Sequence, residues 1–104
     1  MEHNLVASMP VDDFMVLVTH WTSTEKEVGA SFSYRHKEYN TRQRCDFHKE
    51  VFKRIKKIFK EAVLGHRCAM IPTDNGTALK VSVELSGDQL QPWNLVLQIL
   101  RLEQ

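Results

Sequence analysis

RCDFHKEVFKRIKKIFKEAVL, residues 44–64, is the stretch on which the fold turns. At about 100° per residue with Phe47 at zero, Val51, Phe52, Ile55, Ile58, Phe59, Ala62 and Val63 fall on one arc between about 0° and 160°. The opposite arc, about 180° to 280°, carries Lys49, Lys53, Lys56, Lys57 and Lys60. The spacing predicts an amphipathic helix that buries a wide apolar stripe and turns a lysine stripe to water. Gly65 suits the left-handed cap that would close it. Glu50 with Arg54 and Lys57 with Glu61 are spaced i, i+4, each pair worth a few tenths of a kcal/mol to an exposed helix.

A helix with one apolar face needs a layer to bury it against, and the flanking sequence supplies strands. Upstream, DDFMVLVTHW (residues 12–21) is apolar at both alternating sets, Phe14, Val16, Val18 and Met15, Leu17, so it reads as an interior strand. Residues 28–36 alternate Val28, Ala30, Phe32, Tyr34 with Gly29, Ser31, Ser33, Arg35, the pattern of a half-exposed strand forming a hairpin with the first. Downstream, Cys68–Pro72 and the alternation Leu79, Val81, Val83, Leu85 flank Thr73-Asp74-Asn75-Gly76, whose Asn-Gly supplies the positive φ angles of a tight hairpin. Pro72 cannot donate to a ladder and limits its strand to a short or edge position.

The C-terminal stretch PWNLVLQILRL (residues 92–102) suits either period. On a helical wheel Asn94, Gln98 and Arg101 cluster, whereas a strand would set Asn94 and Gln98 opposite Arg101; Pro92 also fits a first helical turn. The expectation is a helix. The order is then β-β-α-β-β-α: a two-layer α+β domain with a four-stranded, mainly antiparallel sheet and both helices on one face. Residues 10–104 form this single domain, and residues 1–9 are a flexible tail or add Leu5–Ala7 as a short edge strand.

A chain of 104 residues, 42% hydrophobic and 26% charged, holds one core and folds without staples. Its longest apolar runs fall far short of the ~20 residues that span a bilayer. Glu2 stands where a signal peptide needs positive charge, so the expected location is cytoplasmic. Cys45 and Cys68 are expected to be thiols there rather than a disulfide.

The net charge of +1 hides a segregation. From Arg35 to Arg67 there are eleven basic and four acidic residues, a balance of +7, and the rest of the chain carries −6. Arg35, Lys37, Arg42, Arg44, Lys49, Lys53, Lys56, Lys57 and Lys60 are the candidate partner-binding residues, a local footprint for an acidic surface. The competing reading is that these lysines merely keep a helix solvated. An acidic protein surface is the first choice of partner. Lysine outnumbers arginine on the helix, and arginine is the better bidentate reader of phosphate and base edges. The alternative is a nonspecific nucleic-acid binder using residues 35–67, with Tyr39 as a stacking group; Tyr34 belongs to the apolar face of its strand.

Signatures of chemistry are sparse. Cys45 and His48 with His66 and Cys68 have the ligand types of a zinc site, but a continuous helix would hold the pairs ~30 Å apart. No metal and no cofactor is expected. His20, with Asp12 or Asp13 near in sequence, carries a third reading as the general base of a small enzyme; a structural histidine is the plainer one. No nucleophile elbow, phosphate loop or dinucleotide fingerprint occurs, so a non-enzymatic role is expected. The C-terminal helix would be apolar around more of its circumference than one sheet can cover. This predicts a homodimer through Leu95, Ile99 and Leu102, with no membrane partner.

Overall fold

The computed structural model describes residues 2–7, 9–24, 26–36, 41–73, 76–85 and 93–102. The elements run β1 (Glu2–Ala7), α1 (Val11–Ser23), β2 (Ser31–His36), α2 (Thr41–Ile58), β3 (Val63–Gly65), β4 (Cys68–Pro72), β5 (Thr77–Leu85) and β6 (Trp93–Arg101). They build a six-stranded sheet in the order β1-β2-β6-β5-β4-β3. The strands from β2 to β3 in this order pair antiparallel, and β1 is added parallel to β2 at the edge. The α+β class and the two layers are as the sequence implies; the element order and strand count are not.

The first correction is the segment 12–21, which forms α1 rather than a strand. Parallel neighbours need a crossover between them, and α1 is that crossover from β1 to β2. Phe14, Met15, Val18 and Trp21 are buried on one helical face, whereas Val16 is 69% exposed on the other. That one outward valine completes the apparent alternation and disguises the helical period. Asp12 and Asp13 occupy the first turn, where the helix dipole favours anions, and Phe14 N–H donates to the Pro10 carbonyl at 3.1 Å.

The second correction is residues 93–101, a central strand rather than a helix. Leu95, Leu97 and Ile99 are buried on its helix-facing side, while Asn94, Val96, Gln98 and Leu100 are half-buried on the other. Arg101 does fall opposite Asn94 and Gln98, and it is exposed because it ends the strand. β2 also starts later than expected: Val28 and Gly29 form a turn, with Gly29 at φ 94°. Gly29 N–H donates to the Ile99 carbonyl at 2.9 Å and Ile99 N–H to the Ala30 carbonyl at 3.0 Å, carrying the β2–β6 contact past the strand. The hairpin of β4 and β5 matches the sequence reading, with Gly76 at φ 71°.

The third correction is the end of α2. Its last helical bond runs from Phe59 N–H to the Ile55 carbonyl, and Ala62 N–H then turns back onto the Phe59 carbonyl at 3.0 Å. Residues 63–65 become β3 instead of a further helical turn. Gly65 is not a helix cap: it opposes Cys68 across the β3–β4 hairpin, where a Cβ would meet Cys68 Sγ at 3.1 Å. The two-residue loop His66-Arg67 makes Gly65 and Cys68 the hydrogen-bonded closing pair, so the backbone N–H and C=O of Leu64 project to the outer edge of the sheet.

Both helices cover one face. Tyr34 is 1% exposed and packs its ring on Phe14 and Phe47 at centroid distances of 5.6 and 5.9 Å. Its hydroxyl accepts the Met9 N–H at 2.8 Å, tying the entry of α1 to β2. Val51 and Ile55 of α2 join this core above Ala69, Ile71, Leu79, Val81, Leu95 and Leu97.

Candidate functional site

The buried face of α2 fixes the direction of its outer face. Phe47, Val51 and Ile55 follow at i, i+4, i+8 and are nearly or fully buried. Arg42, Lys49, Lys53 and Lys57 are exposed on the side away from them, and Lys60 is exposed in the turn that follows the helix. From Arg42 to Lys57 the row spans 15 residue steps, about 22 Å at 1.5 Å per residue. Exposed Asp46 interrupts it. Flexible ammonium groups spaced along a rigid rod suit a surface with several dispersed anions, and they make no fixed bidentate geometry.

Not every cation of the expected set belongs to this row. Lys56 is turned back on its own backbone, with Nζ donating to the Ala62 carbonyl at 2.8 Å and the Lys60 carbonyl at 3.3 Å. It therefore serves as a cap on the turn that ends α2. Arg35 is half-buried on β2 and alternates with Tyr34, so it lies on the sheet face opposite the helices and is separated from the lysines by the sheet. Arg44 lies within α2. Lys37 and Tyr39 lie outside the described residues.

Arg54, which stands between the basic and apolar arcs, has a structural partner that sequence spacing half reveals. The Glu50 pair expected at i, i+4 forms, with Nε to Oε1 at 3.0 Å. The guanidinium also pairs with Asp12 of α1, 42 residues away, and so ties the two helices together. Hydrogen bonds to Asp12 first and Glu50 second raise the guanidinium pKa above its ordinary value. The other expected pair, Lys57 with Glu61, loses its helical spacing because α2 ends at Ile58.

The expected dimer residues do not form one surface. Leu95 and Ile99 are 0% and 3% exposed inside their own chain, so the strand that replaces the C-terminal helix removes the argument for pairing through them. Leu102 is 40% exposed just past β6, and its N–H donates to the Gly76 carbonyl at 2.8 Å. Trp21 is core and carries Lys26 Nζ 5.0 Å from its ring centroid.

His20 is exposed near the end of α1, with Nδ1 3.4 Å from Thr24 Oγ1. Cys45 is exposed and Cys68 half-buried, both as free thiols. Among the described residues no three His, Cys, Asp or Glu side chains gather closely enough to hold a metal ion, and no helix is long and apolar enough to cross a membrane. No family model, no curated protein and no solved structure matches this chain.

Proposed function

We propose that this chain is a small, cytoplasmic, non-enzymatic interaction protein that engages an acidic macromolecular surface through the outer face of α2. The observation that carries this reading is the row Arg42, Lys49, Lys53 and Lys57, presented on a helix whose opposite face is locked into the core and continued by Lys60 in the turn that follows. A helix kept only soluble has no need of one sign of charge; glutamate has similar propensity and hydration. The acids of the chain lie largely elsewhere, so the field of the row is not cancelled within the molecule.

An acidic protein is the first choice of partner. Tyr34 is buried, which removes it as a stacking group, and lysine lacks the planar fork that phosphate recognition favours. Nonspecific binding to a nucleic-acid backbone is the second reading, supported by the ~22 Å length of the row, enough to follow several phosphates. The test is titration of a fluorescent poly-glutamate chain and of a random 20-base-pair duplex at roughly 50 and 200 mM salt. The first reading expects binding to the acidic polypeptide that is lost in Arg42→Glu/Lys49→Glu/Lys60→Glu and kept in the control Lys26→Glu/Lys80→Glu. Duplex binding that falls by orders of magnitude with salt, without poly-glutamate binding, selects the second. Equal behaviour of the triple variant and wild type overturns both.

A further inference from the structure

Between the outer flanks of α1 and α2 runs an open groove of about 510 Å³, lined by Met15, Val16, Thr19, His20 and Ile58 and bridged by the Asp12–Arg54 pair. Val16 and Ile58 are 69% and 54% exposed, two of the most exposed large apolar side chains described, and they share this groove. Val16 is aligned with neither the core nor a cap. Ile58 ends α2 on the flank that faces α1, leaving its side chain over the groove rather than over the sheet.

The charges on either side have opposite sign. α1 contains Asp12, already paired with Arg54, and the exposed Asp13, and neither lysine nor arginine. α2 exposes Lys53 and Lys57, each next in sequence to a residue that lines the groove, Arg54 and Ile58. Across the helix layer the order is thus acidic, apolar, basic. A complementary surface must read basic, apolar, acidic, and that is the same layer rotated by 180° about an axis along the groove. The competing rotation, about an axis across the groove, would lay α1 on α1 and α2 on α2, placing acid against acid and lysine against lysine.

We infer that the α1–α2 layer is a homodimer interface in which two copies form a four-helix arrangement, Val16 and Ile58 of both meeting at its centre and Asp13 of each copy facing Lys57 of the other. α1 is about 20 Å long, and two packed helices are about 20 Å wide, so the footprint lies at the low end of specific interfaces. A reversible dimer at micromolar concentration follows. Lys57 would then serve the dimer rather than the acidic partner, whose test reverses Arg42, Lys49 and Lys60 instead, so the two readings fail separately.

Sedimentation velocity on the full chain from roughly 5 to roughly 500 μM, the range suited to a small interface, tests it. Wild type is expected to move from monomer toward dimer across that range. Val16→Glu and Ile58→Glu are expected to stay monomeric with an unchanged melting curve, since both sites are exposed. Asp13→Lys and Lys57→Glu should each weaken association by about tenfold, and together they should recover most of it, because the exchanged charges again oppose. A wild-type monomer at the highest concentration overturns the proposal. So does a dimer indifferent to Ile58→Glu, or a double charge variant no stronger than its singles.

Discussion

Ile99→Glu distinguishes a central strand from a surface helix more sharply than any conservative change. Ile99 is 3% exposed on β6, opposite Leu79, and its backbone N–H and C=O both bond to the chain entering β2. Truncation to alanine removes three carbon groups at about 0.8 kcal/mol each and leaves a cavity, for a total of about 2–5 kcal/mol. For a domain of this size that lowers the melting temperature by roughly 10–30 °C. Glutamate adds the cost of desolvating a carboxylate, several kcal/mol more, against a total stability of about 5–15 kcal/mol. Ile99→Glu is therefore expected to be unfolded at neutral pH, and Ile99→Ala folded with a much lower melting temperature. Far-UV circular dichroism against temperature, with a size-exclusion profile of each variant, reads both. A folded, cooperative Ile99→Glu melting within about 5 °C of wild type would refute the burial of β6 on which the whole sheet order rests.

The remaining predictions concern the helices and one turn. Lys56→Met should destabilise the chain by about 1 kcal/mol in urea, because the Ala62 and Lys60 carbonyls lose a charged donor, whereas Lys53→Met should stay within about 0.5 kcal/mol of wild type. Asp12→Ala should lower the melting temperature only slightly, since the Arg54 pair is largely exposed, and the difference from wild type should shrink between low and high salt. Gly29→Ala should cost about 1–2 kcal/mol from backbone strain alone, since φ is 94° and a Cβ there meets nothing within 4 Å; unchanged stability would contradict that geometry.

The sequence made the core of α2 and the β4–β5 hairpin legible because in both the burial pattern has one period and one polar side. At Phe14–Val18 and Leu95–Leu100 nearly every position is apolar, and a short apolar run carries no period to read. What separates them is context that lies far off in the chain: α1 must cross over because β1 and β2 run parallel, and β6 must be extended because it pairs with β2 and β5. The lysine row was legible from the wheel alone. The diversion of Lys56 to the Ala62 carbonyl was not, because it depends on where the helix stops. Nor was the link from Arg54 to Asp12, because the alternation of residues 12–21 reads as a strand and hides the helix that brings Asp12 to α2.

The brevity of β3 has a consequence for the molecule's behaviour at high concentration. A sheet can recruit strands only through backbone groups that face outward, and at this border the strand is three residues long. Leu64 directs its N–H and C=O outward, but the neighbouring Ala62 carbonyl already accepts Lys56, and an ammonium stands where an incoming chain would continue the ladder. Fibrillar stacking or strand exchange is thus disfavoured from this side. The opposite border, six residues of β1, is the longer template, and misassembly of intact molecules should begin there.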